Sequence, residues 1–337
     1  MNDRELESAT VQADDREAML HRIVGLDPPA YRRADIARLG GIEHERSVKW
    51  WRAMGFPEAP EDVSAFNSAD VAMVRRLAAL SGAGLVGDDD ILRLARLLGA
   101  AFSRVAEAQV TVLEQLAATG VAGETPDAEH SAALLAVLDS SVLDLLEDTV
   151  VYVWRRHLLA ALGRRLDADV STDECAVGFA DLSGFTKLSQ RVSVDRLAEL
   201  IDEFESAAFD TVSSRGGRVV KLIGDEVMFV AGSLSVGVDI GLDIGDRLAA
   251  IEDMPKIHCG IAYGPTVSVG GDVFGPTANL AARLTTIARP GTLVVPRSAA
   301  DELRDREDLE IVAVRRSFDL KGIGVTRVVS VRRKRGT

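Results

Sequence analysis

The apolar residues of this 337-residue chain change their spacing once, and that change limits what the chain can fold into. Up to about residue 166 they recur every three or four positions, as on amphipathic helices. Beyond the polar stretch DADVSTDE (167–174) they gather in short runs of strand length, separated by Gly and Asp. A pattern of helical period does not settle as a strand, nor the reverse. The expected fold is therefore an all-α N-terminal domain followed by an α+β C-terminal domain. The boundaries fall at 1–128 for the helical domain, 129–171 for a connecting helix and linker, and 172–337 for the second domain.

Residues 1–20 read as a loose polar arm, and helical spacing runs from about Pro29 to Thr119. Asp88 to Asp90 open its longest segment, where acid side chains suit the positive end of a helix. Gly120, Gly123 and Pro126 break the pattern. A second helical stretch runs from His130 to about Leu166, with Arg155, Arg156, Arg164 and Arg165 towards its end. Its apolar positions, among them Leu138, Val142, Leu145, Val150 and Trp154, cover a broad face that must pack on the first domain or on a partner copy. YRRADIARLGGIEHERSVKWWRAMGF could pass for a helix-turn-helix reader, but this half is acidic and lacks a basic recognition helix, so DNA binding is not expected.

After residue 174 the elements read as a strand at 175–181, a helix at 194–214 and a hairpin from Arg218 to Ala231 that turns at Gly224-Asp225. A helix at 236–252 and a strand at 257–263 follow. This β-α-β-β-α-β order is the ferredoxin-like arrangement. A helix at 277–288, a strand from Thr292 to Val295 and a closing hairpin around Phe318 to Val331 complete the expected set.

Two aspartates stand where apolar runs end: Asp181 in FADLSGFT and Asp225 in KLIGDEVMF. A carboxylate at the end of a buried strand is costly unless it is hydrogen-bonded or binds a cation. Singly, Asp181 could cap the helix opening near Ser183, and Asp225 could be an ordinary turn residue. Together, on elements able to converge, they suggest a pair of divalent metals and hence phosphoryl or nucleotidyl chemistry. The net charge of −13, shared by both halves, argues against broad nucleic-acid binding. The two cysteines, Cys175 and Cys259, read as buried thiols in a reducing compartment. The opening MNDRELESAT lacks signal-peptide form, and no apolar run approaches the roughly 20 residues of a membrane span. A cytoplasmic protein without membrane contact is expected.

Four segments in order, FADLSGFT (179–186), KLIGDEVMF (221–229), DVFGPTANLAAR (272–283) and DLKGIG (319–324), resemble the class III adenylyl cyclases. The resemblance covers roughly residues 172–332. The first half resembles, more loosely, the helical regulatory modules of two-domain actinobacterial cyclases, some of which respond to pH. The resemblance implies that Asp181, Asp225 and the main-chain carbonyl of Leu182 bind two Mg²⁺ or Mn²⁺ ions per site. One ion would activate the ribose 3′-hydroxyl for attack on the α-phosphorus of ATP, and the other would hold the triphosphate. Lys221 and Asp272 take the base-reading positions, and Lys with Asp suits adenine: a donor for N1 and an acceptor for the 6-amino group. Asn279 is implied to orient the ribose, Arg283 to stabilise the transition state and Lys321 to bind the triphosphate. In this family each site is shared between two catalytic domains, so the expected partners are ATP and a second copy of the chain. The helical domain is expected to modulate activity, with His157, beside Arg155 and Arg156, as candidate for a pH response, although an exposed helix histidine is the plainer account. Guanylate cyclase, diguanylate cyclase and a degenerate nucleotide-binding module are the alternatives. The hairpin reads Ile223-Gly224-Asp225-Glu226-Val227 and lacks the second glycine and the Phe of the diguanylate cyclase GGDEF motif.

Overall fold

The computed structural model describes residues 18–119 apart from 22, then 133, 137, 142–166 and 174–334. The glycine and proline breaks at 120–126, much of the stretch 130–141, most of the polar linker and the last three residues lie outside the described residues. The chain divides into two compact units, Met1–Asp167 and Ala168–Thr337.

In the first unit, helices α1 (Arg33–Gly40), α2 (His44–Ala53), α3 (Ser68–Gly82) and the start of α4 (Asp88–Thr119) enclose a core of Ile36, Trp50, Phe66, Val71, Val74 and Ile91. Asn67 starts α3 by accepting the amides of Ala69 and Asp70, while Asp70 accepts the Asn67 N–H at 2.8 Å. This reciprocal cap satisfies donors that a helix start leaves open. The fifth helix, α5 (Val142–Leu166), has no buried residue; Leu145 is 65% and Trp154 54% exposed. Its apolar side chains are thus exposed or only half-buried.

The second unit begins with β1 (Glu174–Leu182), the short α6 (Phe185–Leu188), α7 (Val194–Ser214), β2 (Arg218–Ile223), β3 (Glu226–Ala231), α8 (Leu234–Leu248) and β4 (Ile257–Pro265). It continues with β5 (Val267–Val269), β6 (Asp272–Phe274), α9 (Pro276–Ile287), β7 (Thr292–Pro296), a 3₁₀ turn at Arg297–Leu303, β8 (Leu309–Ala313), β9 (Phe318–Leu320), β10 (Gly324–Thr326) and β11 (Val328–Arg333). The main sheet runs β2-β3-β1-β4-β7-β11-β8, and its first four strands pair antiparallel in the ferredoxin-like order. Strand alternation gives the sheet two covered faces. Ala176, Ala180 and Leu182 face Phe204, Ala208 and Val212 of α7 and Val238 and Ile244 of α8. Val177 and Phe179 face Ala278, Ala281 and Leu284 of α9. That helix lies directly on β4: a Cβ on Gly260 would stand 2.2 Å from the backbone nitrogen of Thr285.

Three expectations need correction. Helix α8 stops at Leu248 instead of 252, because a tight turn carries the chain through Asp253 at a positive φ and lets Ile251 and Met254 pack on the core. The closing hairpin is only β9–β10; β11 leaves it to enter the main sheet between β7 and β8, where Val329 and Val331 are buried. The β5–β6 ribbon and β8 are additional to the expected elements.

Candidate active site

The site is built where β1 ends. Antiparallel pairing sets Asp181 opposite Glu226 on β3 and opposite His258 on β4, a row of three titratable side chains across adjacent strands. Gly224 turns the β2–β3 hairpin at a positive φ, a conformation glycine adopts without strain. The turn brings Asp225 alongside: its carbonyl accepts the Leu182 N–H at 3.1 Å. The Leu182 side chain is buried in the core, so only its main chain is free for a role at the tip.

Acid groups this close repel. Burial, and then the charge of Asp181, hold the Asp225 carboxyl above the usual carboxylate range. Burial first, then Asp181 and Asp225, push Glu226 up to about 7. His258 Nε2 lies 2.6 Å from Asp181 Oδ2, so the ring donates to the carboxylate. A divalent cation would relieve this repulsion, and hard oxygen donors suit Mg²⁺ or Mn²⁺. Among the described residues no group of three or more His, Cys, Asp or Glu side chains is placed to hold a metal ion. Two carboxylates and a carbonyl fit an ion that keeps waters and shares phosphate oxygens with its substrate.

A second pair stands nearby on β2 and β6. The β2–β3 register shifts between Val219 and Lys221, and Lys221 Nζ donates to Asp272 Oδ2 at 2.6 Å. Asp272 Oδ1 accepts the Val273 N–H at 2.7 Å, and the Lys221 ammonium lies 5.9 Å from the Phe274 ring centre. Donor and acceptor are thus preassembled at a half-exposed surface.

The remaining expected site residues are not bonded to these pairs. Asn279 and Arg283 are exposed one turn apart on α9, and Lys321 is exposed in the β9–β10 turn. None of the three side chains makes a hydrogen bond or ion pair among the described residues. His157 is exposed on α5 in the first unit. Sequence reasoning assigned no role to Glu226 or His258. Glu226 follows Asp225 directly and could have been flagged by adjacency, whereas His258 becomes visible only through the β1–β4 register.

The adenylate and guanylate cyclase catalytic domain family matches residues 168–332. Over 290 residues the chain is 39% identical to an adenylate cyclase of Streptomyces coelicolor, covering 84% of this chain and 74% of that one. It is 32% identical over 314 residues to an adenylate cyclase of Glutamicibacter nicotianae, covering 86% and 77% of the two chains. A pH-sensitive adenylate cyclase of Mycobacterium tuberculosis is 29% identical over 299 residues, covering 86% of this chain and 74% of that one.

Proposed function

The chain belongs to the class III adenylate cyclases, and from that premise we propose that it converts ATP into 3′,5′-cyclic AMP and pyrophosphate at sites shared by two copies of itself. The observation that carries the substrate reading is the Lys221–Asp272 pair, held at 2.6 Å, which would serve the acid tip of a second copy. Lys221 can donate to adenine N1, and Asp272 can accept from the 6-amino group. Guanine presents an N–H and a carbonyl oxygen at those positions, which leaves both protein groups mismatched once the bound base covers them, and polar groups left unmatched under a base discriminate strongly.

Asp181, Asp225 and the Leu182 carbonyl would hold the divalent metals. The bound ions would acidify the ribose 3′-hydroxyl and neutralise the triphosphate. The chain's own groups supply the rest. Arg283 meets the charge that develops on the phosphorus, Asn279 orients the ribose and Lys321 binds the triphosphate. The solvent-facing placement of Asn279 and Arg283 supports their serving the acid tip of a second copy. The exposed apolar residues of α5, among them Leu145, Trp154 and Leu159, support a paired helix in the 129–171 connector, through which the 1–128 domain would modulate the 172–337 catalytic domain.

Formation of cyclic AMP and cyclic GMP is to be assayed with ATP and GTP under Mg²⁺ and Mn²⁺. Cyclic AMP from ATP is expected, with little product from GTP. Preferred turnover of GTP would overturn the substrate reading, and no turnover of either would favour a nucleotide-binding module.

A further inference from the structure

We propose that His258 is the positioning residue for Asp181, its Nε2–H fixing one carboxylate oxygen so that the other meets the metal in a single orientation. The proposal rests on the reading of Asp181 as a metal ligand. The β1–β4 register puts the two residues directly opposite one another, and Nε2 stands 2.6 Å from Oδ2. The His258 side chain is 20% exposed and that of Asp181 30%, so water competes little for the bond.

The other groups around Asp181 are acids. Glu226 is its neighbour across β3 and Asp225 lies beside it, and ionised carboxylates only accept hydrogen bonds. Left to these neighbours, the Asp181 carboxylate would swing away from them towards solvent. His258 is its hydrogen-bond donor among the described residues, and it engages Oδ2 while leaving Oδ1 open. The bond needs only an N–H on Nε2, which neutral imidazole already provides. Holding β1 on β4 is not what this contact is needed for: their main-chain register runs unbroken from Glu174↔Pro265 to Leu182↔Ile257. Groups that orient a metal ligand from behind are a general requirement of metal sites.

The test is Mn²⁺ binding to the full-length chain without nucleotide, followed by electron paramagnetic resonance of the free ion. It compares the natural protein with His258→Phe, His258→Gln and Asp181→Asn. Phe keeps the ring and removes the donor; Gln places an amide N–H close to where Nε2 stood. His258→Phe is expected to raise the Mn²⁺ Kd about 10–100-fold, and His258→Gln to stay within about threefold of the natural protein. Cyclic AMP formation by His258→Phe should recover as Mn²⁺ is raised, a shift in half-saturation more than in kcat. Should Phe disturb the fold, His258→Asn, whose amide stops short of Asp181, should show the same loss. Unchanged Mn²⁺ binding in the variants that lack the bond, or a Gln variant as weak as Phe, overturns the proposal while Asp181→Asn still binds poorly. Unchanged binding in Asp181→Asn overturns the metal reading beneath it and the proposal with it.

Discussion

At single residues, acid groups gather at one strand tip, and the pair proposed to read the base is closed on itself. Lys221 and Asp272 already satisfy each other across 2.6 Å, so an incoming base exchanges one matched pair for another instead of filling two open groups. Lys221→Glu would place two carboxylates in that contact and remove the donor for adenine N1. Its kcat/KM for ATP should fall roughly a hundredfold or more, with a smaller change for GTP. Steady-state rates on both nucleotides check this, and a variant that keeps the ATP preference sinks the base-reading assignment. Asp181 and Asp225 could be singled out in the sequence because each ends an apolar run, a local signal. Glu226 and His258 matter through what stands opposite them, and cross-strand register is set by non-local pairing that one strand's sequence does not state.

Among the elements, α9 carries Asn279 and Arg283, and its closeness to β4 depends on the missing side chain at Gly260. A Cβ there would stand 2.2 Å from the Thr285 nitrogen and 2.6 Å from the Ala281 carbonyl, both backbone atoms that cannot turn aside. Gly260→Ala should destabilise the fold by about 1–3 kcal/mol in urea unfolding and lower kcat by displacing α9. A fully active, equally stable variant would show that α9 does not need this approach. On the opposite face, Arg306 joins α8 to the segment before β8, bonding Asp239 at 2.8 Å and Asp308 at 2.6 Å. The Arg306 guanidinium bonded to Asp308 holds that carboxyl down at about 2. Because this folded value lies below the unfolded one, the pair stabilises fully above about pH 4 and is lost as pH falls towards 2. The Tm difference between the natural protein and Asp308→Asn should therefore be present at pH 6 and close between pH 4 and 2. A difference that persists at pH 2 would assign it to packing. The ferredoxin-like strands and α7 were legible because each carries enough residues to show its period. The three-residue strands β5 and β6 are too short for that, although Gly270-Gly271 between Val269 and Asp272 is a hairpin signal. Strand β8 pairs only with β11 at the sheet edge and leaves Val312 exposed, so its burial pattern is weak.

For the whole molecule the question is how many chains make one site. The acid tip of Asp181 and Asp225 belongs to one side of the reading, and the Lys221–Asp272 pair with exposed Asn279 and Arg283 to the other. If each site takes its metal aspartates from one copy and Arg283 from the other, two differently damaged chains can repair one another. Asp181→Ala and Arg283→Ala should each lower cyclic AMP formation by roughly a thousandfold, the scale of losing a charge-stabilising arginine in phosphoryl transfer. Mixed as heterodimers, they retain one site with Asp181 from one chain and Arg283 from the other, beside a second site that lacks both. Activity should then return to about half that of the natural dimer per heterodimer formed, a fraction set by symmetry alone. Co-expression with two affinity tags isolates the mixed species, so that composition and rate are measured on the same sample. A mixed dimer as inactive as its parents would mean that each chain holds its own site, and Arg283 would then have to reach Asp181 within one copy. The same dimers address the helical half: the pH–activity profile of His157→Ala is expected to be flatter than that of the natural protein if α5 transmits protonation. An unchanged profile would remove His157 from that role and leave the shared site standing.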